Sequence, residues 1–401
     1  MRHSATTWIL VRFAGVVRSP LVVDPKASIR RAARELGFAL CGFAPMQPPP
    51  RADFVRQWLR DGNAGTMSYL GRGLKKRLDP ARVLPAARSV ITVGFPYRPA
   101  RLPTIDWRAQ LRGRIAAYAF GPDYHDVVLG KLERLADFVR DQGATATRAY
   151  VDTGPVLERE WASLGGVGWF GRNTTILHQQ EGSWFFLGEI FTDLECEPEP
   201  IVADHCGTCR RCLDLCPTGA LKDGYVMDAR LCISYLTIEY RGVIPRELRH
   251  KIGNWIFGCD ICQDVCPWND TQPPNGGDEL SPYLPDLMML DTAAYERRFG
   301  ASAMRRASRD CFARNVAVAL GNTGNPAAVP SLAQALTHES SPLVRQHVAW
   351  ALGEIDDRAA RRALEAAWRN ESEERVRTEI KASLDTSAPR ATRESGDTTC
   401  P

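Results

Sequence analysis

Eight cysteines fall within sixty-one residues of this chain, and no other feature limits its possible folds so sharply. They run Cys206-x2-Cys209-x2-Cys212-x3-Cys216-Pro217, then Cys232, then Cys259-x2-Cys262-x3-Cys266-Pro267. The first run has the spacing in which three close thiolates hold one 4Fe–4S cluster and the fourth reaches across to another. The second run is one cysteine short, and Cys232 is available to complete it. Eight thiolates match what two four-iron clusters need. A segment built this way moves electrons one at a time.

A disulfide scaffold is the competing reading of twelve cysteines. Such scaffolds are short and spread their cysteines along the chain, whereas here they concentrate in one segment at metal-ligand spacing. Structural zinc, which takes four-ligand sets, is the other alternative. Iron–sulfur ligation implies a reducing compartment, and the cytoplasm is expected. Cys41, Cys196, Cys311 and Cys400 lie outside the pattern. They read as small buried hydrophobes, plus one in a tail.

At 401 residues, 44% hydrophobic and 24% charged, the chain has core material for two or three globular domains. No apolar run reaches the roughly 18 residues of a membrane span. Residues 8–17 faintly resemble a signal peptide, but Arg12 interrupts them and no twin-arginine pair precedes. Residues 1–23 are therefore expected to be a poorly ordered extension or the product of an early start codon. The polar residues 387–401 are expected to be a disordered tail.

Residues 24–195 alternate helical and strand-like stretches, which predicts an α/β domain. Helices are expected over 27–36, 54–59, 126–142 and 156–164, and strands over 38–43, 89–95, up to 151, and 184–191. Strand order is not readable. Residues 196–285 form the ferredoxin-like two-cluster domain, where metal ligation replaces part of the hydrophobic core. The Pro- and Gly-rich run 273–277 marks its far edge. Residues 286–386 carry a repeat of period 32, with Val316, Val348 and Ile380 in register, and Leu320, Leu352 and Leu384 likewise. An all-α, HEAT-like array of helical hairpins is expected there.

Net charge is only +4, too small to indicate nucleic acid. Its distribution says more. Arg241, Arg246, Arg249, His250 and Lys251 follow the first cysteine run, and Arg297, Arg298, Arg305, Arg306, Arg309 and Arg314 follow the second. Either group could meet phosphates, and solvated helix faces would explain them equally well.

Three further patterns bear on chemistry. Gly166-x-Gly168-x-x-Gly171 matches the dinucleotide fingerprint formally, but it follows a helix and leads into a strand, which excludes a nicotinamide site of that kind. Asp123-x-His125 begins like the D-x-H-x-x-G motif whose histidine ligates cobalt, yet Val128 stands where glycine is required. A hydrogen-bonding histidine before the helix is expected instead. Asp152 ends a strand-like stretch and precedes Thr153-Gly154-Pro155. At the C-terminal end of a strand, partly desolvated, it could hold its proton near neutral pH and act as a general acid. An N-cap or Asx-turn role is the alternative.

The chain closely resembles the epoxyqueuosine reductase family. The matching stretches are AYAFGPDYH (117–125), VDTGPVLER (151–159), GVGWFGRNT (166–174), GSWFFLGEI (182–190), CGTCRRCLDLCPTGAL (206–221), CISYLTIEYRGVIP (232–245) and GCDICQDVCPWN (258–269). Phe120, Pro122 and Ile261 are minor departures from the family pattern. The resemblance covers about residues 24–386.

The resemblance implies a base-off cobalamin between the α/β domain and the clusters, without a protein ligand to cobalt. It implies one cluster on Cys206, Cys209, Cys212 and Cys266, and the other on Cys216, Cys232, Cys259 and Cys262. Asp152 corresponds to the proton donor beside the cobalamin. Cobalamin contacts map to Lys75, Ile176, Leu187, Ser234 and Asp260. The implied reaction is two-electron removal of the epoxide oxygen of epoxyqueuosine in a tRNA anticodon stem-loop, the last step to queuosine. A flavodoxin- or ferredoxin-type electron donor, a monomer and no membrane are also implied. A related cobalamin and iron–sulfur reductase of the reductive dehalogenase kind, or an electron-carrier subunit, stays open as an alternative.

Overall fold

A computed structural model of the chain describes residues 24–97, 105–269 and 280–386. The expectations for residues 1–23, for the run 273–277 and for the tail with Cys400 lie outside the described residues. Among the described residues, no helix is long and apolar enough to cross a membrane.

The first part of the chain builds a four-stranded sheet in the order Leu40–Pro45, Ser89–Pro96, Phe185–Thr192, Thr147–Tyr150. Every pair in it is antiparallel. Helix–strand alternation is present as expected, but alternation alone does not fix strand direction. Helices Pro25–Glu35 and Tyr124–Asp141 cover one face, burying Ile29, Ala33, Leu132 and Leu135 against Phe43, Ile91, Val93 and Ile190. Each such aliphatic side chain contributes about 1.5–3 kcal/mol over leaving it exposed. Helix Glu158–Leu164 covers the other face, where Trp161 packs with Val90 and Phe191.

The helix starts follow from local chemistry. The Asp24 side chain accepts from the Lys26 N–H ahead of Pro25, and Asp123 accepts from the His125 N–H at 3.0 Å.

Residues 111–119, nominally part of this first domain, pack elsewhere. Strand Arg114–Ile115 pairs in parallel with Trp255–Phe257 of the cluster segment. One continuous hydrophobic core then runs from Leu111 and Ile115 through Leu236, Ile256 and Phe257 into the helices after Leu284. The cluster segment and the repeat therefore share a core.

The repeat stacks helices Arg309–Thr323, Pro342–Glu354 and Glu374–Thr386, with Val329–His338 and Arg358–Asn370 in a second layer. The in-register Val316, Val348 and Ile380 are fully buried. A Cβ on Gly321 would stand 2.8 Å from the Ala351 backbone, so glycine there lets adjacent helices touch. Arg314 clamps the repeat to the cluster segment: wholly buried, it donates to the carbonyls of Leu236, Tyr240 and Gly242 at 2.7–2.8 Å.

Candidate active site

The two cysteine runs form short helical turns, Arg211–Asp214 and Ile261–Asp264, that project sulfurs at close intervals. Cys232 caps the start of helix Ile233–Ile238. The folded chain sorts the sulfurs into two groups that differ from the two runs. Cys206, Cys209, Cys212 and Cys266 line one cavity of about 250 Å³, beside Arg172, His205 and Trp268. Cys216, Cys232, Cys259 and Cys262 line a second cavity of about 360 Å³. Each run thus lends one sulfur to the other run's group.

Electrostatics reflect this grouping. Burial, then the charges of Cys266, Cys206 and Cys209, push the Cys212 thiol up to about 11. Burial, with Cys259, Cys232 and Cys212 adding, drives Cys262 well above its ordinary value. Crowded thiolates of this kind need a cationic centre among them, which cluster iron supplies. Cys216 differs. Burial raises it, but the Thr218 hydroxyl and the N–H groups of Leu221, Ala220 and Thr218 hold it below the usual thiol range.

The larger cavity lies between the sheet and the cysteines. Phe185, Phe186 and Leu187 of the central strand line it together with Ile176, Tyr97 and Tyr124. Asn173, Thr175, Ser183, Ser234 and Gln263 supply polar groups. Tyr124 stacks on Phe186 with ring centroids 4.1 Å apart and 4° between planes.

Of the residues expected at this site, Asp152, Ile176, Leu187 and Ser234 meet in that cavity. Lys75 does not line it, because it points outward from helix Leu74–Leu78 and is exposed. Asp260 does not line it either: it is buried and its carboxylate accepts from the Ala117 N–H at 2.8 Å. Burial, aided by the charge of Asp264, pushes Asp260 up to about 7.

Asp152 occupies a left-handed backbone conformation with φ of 54°, uncommon outside glycine and tolerated by aspartate. The side chain does not cap a helix. Its Oδ2 accepts from the Tyr124 hydroxyl at 2.7 Å and from His125 Nε2 at 3.0 Å. The other ring nitrogen of His125, Nδ1, stands 2.7 Å from Asp123 Oδ1. Only an imidazolium donates from both nitrogens. Burial opposes that charge, but the bonds to Asp152 and Asp123 and their charges raise the His125 pKa.

The expectation that Asp152 itself holds its proton near neutral pH is corrected here. Burial alone would raise its pKa, since protein surrounds it although 56% of the side chain still opens to the cavity. Hydrogen bonds from His125 and Tyr124, with the charges of His125 and Arg159, outweigh burial and hold the carboxyl below its ordinary value. The proton of this pair therefore rests on His125.

A second acid was not singled out from the sequence. Glu158 Oε1 accepts from the Asp152 N–H, and its carboxyl lines the same cavity. Burial and the Asp152 charge push it up to about 8. Glu189, wholly buried on the central strand, has neither carboxyl oxygen hydrogen-bonded. Thr92, opposite it in register, has an unpartnered hydroxyl as well. An acid at a fully buried strand position was the available signal for Glu189.

The fingerprint-like glycines serve packing. A Cβ on Gly168 would lie 2.1 Å from the Leu177 carbonyl oxygen, so the hairpin of Trp169–Phe170 and Ile176–Leu177 requires glycine there. The arginines divide. Arg314 and Arg249 are buried, the latter paired with Glu379 at 3.0 Å, and Arg309 pairs with Glu339, so none of these three is free for phosphate. Arg241, Arg297, Arg298, Arg305 and Arg306 remain at the surface.

Residues 205–269 match the family model for a 4Fe–4S double cluster binding domain, and residues 301–385 the model for HEAT repeats. Two four-cysteine sites, one of them on a cavity that Asp152 also lines, define an iron–sulfur oxidoreductase. Residues 77–153 match the model described as epoxyqueuosine reductase QueG, DUF1730. An epoxyqueuosine reductase of Xanthomonas campestris pv. campestris is 39% identical, over 83% of this chain and 97% of its own. A crystal structure of epoxyqueuosine reductase with an epoxyqueuosine-modified tRNA-Tyr stem loop superposes with a TM-score of 0.82 at 30% identity, covering 90% of this chain and 98% of that one. A Bacillus subtilis epoxyqueuosine reductase, described with a catalytic aspartate loop swung out of the active site, superposes with a TM-score of 0.80 at 30% identity, covering 90% and 98%. The chain belongs to the epoxyqueuosine reductase family and is an oxidoreductase.

Proposed function

We propose that this reductase removes the epoxide oxygen of epoxyqueuosine in a tRNA anticodon loop, with Asp152 as the residue that delivers protons to it. The carrying observation is a single cavity lined by four cysteines and by Asp152. That arrangement supports electron delivery to, and protonation of, one bound group.

The reading assigns one 4Fe–4S cluster to Cys206, Cys209, Cys212 and Cys266, and the other to Cys216, Cys232, Cys259 and Cys262. Four thiols around each cavity fit that assignment. The larger cavity also fits cobalamin. A flat apolar wall of Phe185, Phe186, Leu187 and Ile176 suits a macrocycle, and Asn173, Ser183, Ser234 and Gln263 suit its amide side chains. Bound clusters supply single electrons, and bound cobalamin supplies a centre able to deliver two at carbon.

The chain's own residues do the rest. Asp152, charged from His125, gives a proton to the departing oxygen. Tyr124 donates to the same carboxylate oxygen as His125 and helps to fix it. The aromatic wall shields the reacting centre from water. Removing the oxygen as water takes two electrons and two protons, so the site must be protonated twice. The base leaves its stack to enter the cavity, and surface arginines such as Arg297 and Arg298 hold phosphates of the stem.

The same reading divides the chain into residues 24–195, 196–285 and 286–386, places it in the cytoplasm as a monomer, and feeds it from a flavodoxin- or ferredoxin-type donor. Anaerobic purification and reconstitution test it. Corrinoid absorption beside the iron–sulfur bands, and conversion of epoxyqueuosine in tRNA to queuosine, are expected. A protein that binds clusters but no corrinoid would be an electron carrier instead.

A further inference from the structure

Two protons are consumed, yet the Asp152–His125 pair holds only one. Both C–O bonds of the epoxide break, a C=C bond forms, and the oxygen leaves as water. Two electrons enter from an external one-electron donor. The second proton must come from elsewhere while the bound base covers the cavity.

Glu158 is placed to hold it. Its carboxyl faces the cavity beside Asp152, and its Oε1 accepts from the Asp152 N–H. We infer that Glu158 stores the second proton and passes it to the departing oxygen through Asp152. The inference rests on the reading of Asp152 as proton donor. Glu158 acts through Asp152 and does not touch the reacting atoms.

The surroundings agree. Asp152, Arg159 and Arg77 face Glu158, and Tyr124 and Glu189 lie within reach of its charge. Burial and Asp152 raise its pKa, Arg159 and Arg77 lower it, and the balance stands at about 8. Glu158 is therefore protonated at neutral pH. Glu189, buried and unpartnered on the central strand, is kept neutral by burial and by the charge of Asp152. The two acids therefore form a neutral pair behind an ionised one. After the first transfer Asp152 is again a carboxylate, and the proton of the adjacent Glu158 passes to it.

Glu158→Gln tests this, because the amide oxygen still accepts from the Asp152 N–H while the proton is gone. Reduced holoenzyme would be mixed with an epoxyqueuosine stem-loop in single turnovers across a range of pH. The wild-type rate should fall as pH rises through about 8. E158Q should be about 10-fold or more slower at neutral pH, lose the part of that fall near 8 while keeping the part that His125 sets, and regain rate when a small carboxylic acid is added. Equal rates with the fall intact, or a uniform drop without movement of the profile, overturn the inference and leave the function standing. Should E158Q fail to hold its clusters, Glu158→Asp decides: a fall moved to lower pH supports the inference, and an unmoved fall overturns it. A wild-type enzyme that leaves epoxyqueuosine intact removes the function itself, and the inference with it.

Discussion

His125 Nε2 stands 3.0 Å from Asp152 Oδ2 while its Nδ1 stands 2.7 Å from Asp123 Oδ1, so one imidazole bridges two carboxylates. Asp123 is in turn held by Arg305 at 2.8 Å, from the segment that leads into the helical repeat. The proposed proton donor is thereby tied to the part of the chain proposed to grip tRNA. Asp152 takes its protonation behaviour from His125, and the histidine takes its charge from both acids.

His125→Gln should therefore change the pH profile as well as the rate. A raised histidine pKa means the proton is present below that value and lost as pH rises through it. Without the imidazole, Asp152 must carry the first proton itself and titrates in a carboxyl range. Turnover at neutral pH should drop by about 10- to 100-fold, with the alkaline fall displaced to lower pH. Rate against pH in single turnovers checks this.

Cys216 and Cys266 each belong to one run and sit among the sulfurs of the other. Replacing either with alanine should disturb both clusters, because the run that loses a residue also positions the neighbouring site. Iron content should fall from about eight atoms per chain to about four or fewer. Electron paramagnetic resonance of the reduced protein should lose the coupling between clusters. A variant that keeps one intact cluster with unaltered spectra would contradict the crossed assignment.

The arginines near the repeat should separate by burial. Arg297 and Arg298 are exposed, so Arg297→Ala with Arg298→Ala should weaken stem-loop binding, flatten its salt dependence by about two charges and leave stability unchanged. Arg314→Ala should instead destabilise the protein by about 3 kcal/mol or more, since it strips three buried carbonyls of their donor. Titrations at several salt concentrations, beside thermal melts, distinguish the two.

Much of this site was legible because its chemistry is local in sequence. Cysteine spacing reports ligand sets directly, and the in-register Val316, Val348 and Ile380 report a stacked core. Asp152 stood out for its turn, although Tyr124 and His125 reach its carboxyl from another helix and lower its pKa. Partners 27 and 28 residues away leave no periodic trace. Glu158 and Glu189 were hidden for the same reason: their pKa values depend on burial that only the folded sheet creates. Arg249 and Arg314 read as surface charge, and only packing shows them sealed inside. The antiparallel strand order likewise depends on long-range pairing.

The central claim is that Asp152 delivers protons to a group reduced from the cysteine side of the cavity. Its most direct test compares wild type with Asp152→Asn, both loaded with clusters and cobalamin, reduced, and given tRNA bearing epoxyqueuosine. Wild type should yield the nucleoside lighter by one oxygen atom. Asp152→Asn should keep the same cluster and corrinoid spectra and lose turnover by a factor of about 100 or more. Near-normal conversion by Asp152→Asn would contradict the claim.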